Sequence, residues 1–174
     1  MNNDSTVIRA LAASLLLAFL SGASATAAVP AKRATFQVLQ EHYAAIWRAL
    51  SDDRLDGIEK EALAMEKATR KLMADFDAER AGVPEDETGI VREALPELAE
   101  ASAKLARARG IAAARDAFHA VSKPMVRYRS AVSEPGTVVV YCPMAERGWI
   151  QGGGPVANPY YGKSMLRCGT VLPR

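Results

Sequence analysis

A chain of 174 residues that is 49% hydrophobic is long enough to bury one core and too short for a second large domain. Its 22 basic and 20 acidic residues leave a formal charge of +2, and the two signs are interspersed, so the sequence carries no electrostatic footprint for nucleic acid. Aromatics are sparse at 6% and alanine comes in long runs, which favours helix over sheet and makes all-α the expected class.

Met1 to about Ala27 has the three parts of a secretory signal. Arg9 supplies the positive start, Ala10 to Leu20 the apolar run, and Ala23-Ser24-Ala25 or Ala25-Thr26-Ala27 the small-residue cleavage pattern. The apolar run is about 11 residues, well short of the roughly 20 that span a bilayer, so no permanent membrane span is expected. No cysteine follows it to carry a lipid. An exported, periplasmic protein is the expectation, and such a chain meets an oxidising compartment.

From Phe36, apolar residues fall at helical spacing: Phe36, Leu39, Tyr43, Ile46, Trp47 and Leu50 share one face. Ser51-Asp52-Asp53 is read as a stop followed by N-capping residues for a second helix carrying Leu55, Ile58, Ala62, Met65, Leu72 and Phe76. Gly82 and Pro84 end that run. A third helix is expected over about Ile90 to Ala108 with Leu95, Leu98, Ser102 and Leu105 inward, Pro96 marking either a kink or the first turn. A fourth follows Gly110 with Ile111, Ala114, Phe118, Val121, Met125 and Tyr128, and contains Pro124. Four amphipathic segments with short breaks predict an up-down four-helix bundle.

After the turn signal Glu134-Pro135-Gly136 the texture changes. Thr137 to Tyr141 is a β-branched run of strand length, and Thr170-Val171-Leu172 is placed to pair with it, with an irregular Gly- and Pro-rich loop between them. The expected organisation is a signal peptide over residues 1–27, a helical bundle over 34–130 and a Cys/Met-containing β-hairpin and loop cap over 131–174, packed on the bundle.

That cap holds the candidate chemistry. Cys142-Pro143-Met144 and Met165-Leu166-Arg167-Cys168 each bring a thiol and a thioether close together, and both are soft donors that select Cu(I) and related ions. A competing reading is a Cys142–Cys168 disulfide, which would close a loop of about 27 residues and stabilise by roughly 3–4 kcal/mol in the chain-entropy model. The two states exclude each other only at a given moment. His119 flanks the inward Phe118 and is the better histidine candidate for a fifth ligand; His42, beside Tyr43, reads as an ordinary hydrogen-bonded residue. Trp149 is expected to cap the core, and Tyr160 and Tyr161 to pack the loop onto the helices. No Gly-x-Ser-x-Gly elbow, Walker loop or His-Glu-x-x-His helix occurs, and a non-catalytic protein is expected.

The motifs Tyr141-Cys142-Pro143-Met144-Ala145, Trp149-Ile150-Gln151, Asn158-Pro159-Tyr160-Tyr161-Gly162 and Met165-Leu166-x-Cys168-Gly169 together resemble a family of exported bacterial domains found alone or appended to the periplasmic adaptor proteins of copper and silver efflux. Ala113 to Ser122 resembles that family's last helix, and Tyr43 to Asp53 its first, with the double aspartate. The resemblance implies a small helical domain handling copper or another soft metal outside the cytoplasm, with Cys142, Met144, Met165 and Cys168 as donors and a metal-efflux adaptor protein as partner. Ala145 stands where the related heavy-metal motif has His-Pro, and no adaptor domains accompany the chain. The alternative from another class is a structural or interaction module whose cysteines form a permanent disulfide.

Overall fold

The computed structural model describes residues 34–132 and 136–173. The signal-peptide reading and most of the Glu134-Pro135-Gly136 turn lie outside the described residues. The protein is mostly helical, with a small three-stranded antiparallel sheet near its C-terminal end. No described helix is long and apolar enough to cross a membrane.

Helix α1 (Thr35–Ser51) follows the predicted stripe: Phe36, Leu39, Tyr43, Ile46 and Leu50 are all buried. Trp47, at the margin of that stripe, is only partly buried and turns its indole N–H to the carbonyl of Ala157, 2.7 Å away. Helix α2 (Ile58–Ala74) buries Ile58, Ala62, Met65, Thr69 and Leu72. Two residues expected in its stripe fall outside it. Leu55 is exposed ahead of the helix, and Phe76 follows its end, where the Arg92 guanidinium lies 3.8 Å over its ring.

The aspartate pair does not cap α2. Ser51 ends α1, Asp52 is its C-cap, and Asp53 turns the chain with φ 60°, after which Gly57 leads into α2 with no side-chain cap. The connection needs two left-handed turns, which carry the Asp53 side chain away from the α2 N-terminus and toward the C-terminal tail.

A one-turn helix, α3 (Ala78–Ala81), is capped by Asp77, whose carboxylate accepts from the Arg80 amide at 2.7 Å. A 3-10 turn, Glu85–Glu87, then feeds helix α4 (Thr88–Ala106). Pro96 sits inside α4, well past its first turn, and Pro124 sits inside α5 (Ile111–Ala131). Leu95, Leu98, Ser102 and Leu105 of α4, and Ala114, Phe118, Val121, Met125 and Tyr128 of α5, are buried as the periodicity predicts.

Neighbouring long helices pack in chain order, α1 on α2, α2 on α4 and α4 on α5. Strand β2 (Arg147–Gly152) lies against α5 and α1 and fills the remaining side. The strand order is β2-β1-β3, with β1 (Thr137–Cys142) central and β3 (Thr170–Val171) pairing Val140 with Val171 and Tyr141 with Thr170. The pairing between β1 and the Thr170 segment is as expected. Strand β2 is a correction, because its stretch reads as loop in sequence. Trp149, Ile150 and Gln151 are buried in succession, so no alternation of apolar and polar residues marks the strand.

Hydroxyl groups join β2 to the helices. The Ile150 amide donates to the Tyr43 hydroxyl at 3.2 Å, and the Tyr160 hydroxyl donates to the Gly148 carbonyl at 2.8 Å. Ser122 on α5 sits between them, 2.7 Å from the Tyr43 oxygen and 3.3 Å from that of Tyr160. Burial holds both phenols well above their ordinary pKa, so they remain protonated and able to donate.

Candidate thiol site at the sheet rim

Cys142 is the last residue of β1, in register with Arg147, and is 0% exposed. Cys168 lies between the 3-10 turn Gly162–Met165 and β3, and is half-buried against the core. Both are free thiols, and the β1–β3 register, which pairs Tyr141 with Thr170, brings Cys168 beside Cys142. The neighbouring Cys142 thiol and then burial push the Cys168 thiol up from its ordinary pKa, and the Met144 amide opposes them. The sequence thus folds so that residues 26 positions apart meet: β1 delivers Cys142 to the rim, and the tail returns to lay Cys168 over it.

The return of the tail is fixed by polar contacts that sequence reasoning missed. Asn158 is 0% exposed and serves as a hub. Its Oδ1 accepts from the amides of Tyr160 and Tyr161 at 2.8 and 3.1 Å, and its Nδ2 donates to the Cys168 carbonyl at 2.8 Å. Its own amide donates to the Leu166 carbonyl at 2.8 Å, and the Cys168 amide donates to the Met165 carbonyl at 3.0 Å. A Cβ on Gly169 would come within 2.8 Å of Trp149 and Val140, so the chain beside Cys168 runs directly on the sheet. The Asn158-Pro159 pair reads as a turn in sequence, and only a buried amide makes it a hub.

A second anchor involves the misread aspartate. Arg115 on α5 donates to the Asp53 carboxylate at 2.6 Å, to the Pro159 carbonyl at 2.9 Å and to the Leu50 carbonyl at 3.2 Å. The other Asp53 oxygen accepts from the Lys163 amide at 3.2 Å. The Arg115 hydrogen bond, then the Lys163 amide, hold the Asp53 carboxyl below its ordinary value of 3.8. Gly162, at φ 57°, passes so close to the Asp53 carboxylate and the Arg115 guanidinium that a Cβ would collide with both.

The remaining predicted donors are placed unequally. The Met144 side chain is 65% exposed on the turn between β1 and β2, where the Tyr161 hydroxyl donates to its carbonyl at 2.9 Å. Met165 is half-buried and offers its carbonyl to Cys168. His119 lines a cavity of about 400 Å³ with Glu97, Ser122, Lys123, Arg127 and Gly148, and its ring lies edge-on to Tyr160 with centroids 6.0 Å apart. Its Nδ1 is buried without a hydrogen-bond partner. Desolvation, then Lys123 and Arg147, lower its pKa, against the opposing pull of Asp116. His42 pairs with Glu61 across α1 and α2 at 2.6 Å. Among the described residues, no three His, Cys, Asp or Glu side chains gather as a metal-ligating group. Trp149 and Tyr160 are buried as expected, the indole N–H donating to Gln151 at 3.1 Å.

Two chemistries are open to paired thiols: ligation of a soft ion after deprotonation, and two-electron oxidation to a disulfide. No protein-family model matches the chain, and no match was found among curated proteins or solved structures.

Proposed function

We propose that the protein is an exported, periplasmic, non-catalytic accessory of soft-metal efflux or resistance that binds Cu(I) or a related ion. One observation carries this reading: the pairing of β3 with β1 brings two free thiols, Cys142 and Cys168, together at the sheet rim. When bound, the ion would accept both thiolates as soft ligands. The donor chemistry fits such an ion, since the exposed Met144 and the half-buried Met165 flank the cysteines in the chain with thioethers. His119, lining a cavity without either cysteine, is the weakest member of the ligand set and is left to the helical side of the molecule. The resemblance in the tail motifs supports the link to efflux and an adaptor protein as partner. We read the four long helices as an up-down bundle, supported by their chain-order packing.

The same pairing supports a second reading, a structural module locked by a Cys142–Cys168 disulfide. Anaerobic titration of the reduced protein with Cu(I) against a competing chelator separates the two. Wild type should hold the ion, and the Cys142→Ser/Cys168→Ser double variant should lose it to the chelator. Equal, weak competition by both proteins would remove the metal reading.

A further inference from the structure

Cys142 and Cys168 are neighbours through the pairing of β1 with β3 but do not face the same surroundings. Cys142 is 0% exposed, belongs to the buried core and ends a central strand. Cys168 lies over it on the returning tail and is half-buried, with one side toward solvent. Its backbone is pinned on both sides, the carbonyl by Asn158 and the amide by the Met165 carbonyl, so the point from which its side chain projects is fixed beside β1. Cys168 is therefore the thiol nearer to solvent, while Cys142 is enclosed. A buried thiol is inert to outside reagents, whereas an accessible one is not.

We propose that Cys142 and Cys168 form a thiol–disulfide exchange site with a fixed order, Cys168 outer and Cys142 resolving, whose substrate class is an accessible disulfide. In the first step Cys168 gives up its proton to solvent and its sulfur attacks one sulfur of the external disulfide. That disulfide bond breaks, a mixed disulfide forms on Cys168, and one thiolate leaves. In the second step Cys142 loses its proton and attacks the Cys168 sulfur, breaking the mixed disulfide and expelling the second thiolate. The external disulfide gains two electrons, the protein dithiol loses two, and the two protons end on the released thiols. This inference rests on the same sulfur pair as the proposed function but requires no metal. It adds regulation to that reading, because the oxidised pair has no thiolate to offer an ion.

The test is reaction of the native, reduced, metal-free protein with an aromatic disulfide that releases a coloured thiolate, followed by intact mass. Wild type should release two equivalents and finish two protons lighter with no adduct. Cys142→Ser should release one equivalent and keep a stable adduct on Cys168. Cys168→Ser should not react until it is unfolded, and then once. Comparable native reactivity of Cys142 in Cys168→Ser, or two stable adducts on wild type, would overturn the order. If a variant does not fold, peptide mapping of acid-quenched wild type part-way through reaction replaces it: a first adduct on Cys168 is expected, and one on Cys142 overturns the proposal. Loss of Cu(I) binding with the exchange order intact removes the metal reading alone, and the opposite pattern removes this one alone.

Discussion

The helical body and the C-terminal tail are held by different forces. In the body, from α1 to α5, the buried residues are overwhelmingly apolar and recur at helical spacing, so cohesion is spread over many exchangeable contacts. In the tail, a few polar residues each make several directed bonds: Asn158 ties five backbone groups, and Arg115 ties Asp53, Pro159 and Leu50. The body should therefore lose stability in proportion to volume removed. The tail should fail at single atoms.

The largest effect is expected in the body. Phe118 is 0% exposed and packs between Tyr43, at 4.8 Å between centroids, and Tyr160, at 6.1 Å. Phe118→Ala should cost about 3–5 kcal/mol in urea unfolding, with one cooperative transition. A loss under 1 kcal/mol would contradict the packing of both regions against this ring.

Gly162→Ala adds one methyl group to the tail and should cost about 1–3 kcal/mol, from left-handed backbone strain and collision with the Asp53–Arg115 pair. The expected signature is local. Far-UV circular dichroism should keep its helical signal while the combined emission of Trp47 and Trp149, both of which meet the tail, shifts. A helical signal that falls in step with the tryptophan would erase the distinction between the two regions.

The smallest effect is in pH dependence. Asp53 has a folded pKa below its unfolded value of 3.8, so its stabilisation is present above that value and is lost as pH falls through the folded one. Asp53→Asn should therefore differ most from wild type near neutrality, and the two unfolding curves should converge in acid below pH 3.8. A gap that stays constant down the acid limb would mean that the carboxylate's charge contributes nothing to holding the tail.

How legible each region was follows from the same contrast. The stripes from Phe36 to Leu50 and from Ala114 to Tyr128 are readable because helix burial repeats along the chain. The pairing at the base of the loop is legible because Thr137–Tyr141 and Thr170–Leu172 read as strands, and β1 and β3 pair there. Strand β2 was hidden because it is buried on both faces and so shows no alternation. Asp53 looked like a cap because its neighbours in sequence suggest one, whereas its partners Arg115 and Lys163 lie 62 and 110 residues away. His119 reads as a candidate ligand because its helix leads toward the tail, and in the fold it lines a cavity with Glu97, Arg127 and Gly148 of β2. Directed bonds over such separations leave no period in the sequence.

The hydroxyl bonds along β2 also bear on how the protein behaves at high concentration. A strand at the margin of a sheet offers its outward amides and carbonyls to any other chain, which is how fibrils recruit new molecules. On β2, the Ile150 amide and the Gly148 carbonyl are already occupied by phenols from Tyr43 and Tyr160. A second molecule could zip onto those rungs only after both rings had been drawn out of the core, so resistance to self-assembly is built into the same bonds that seat the sheet.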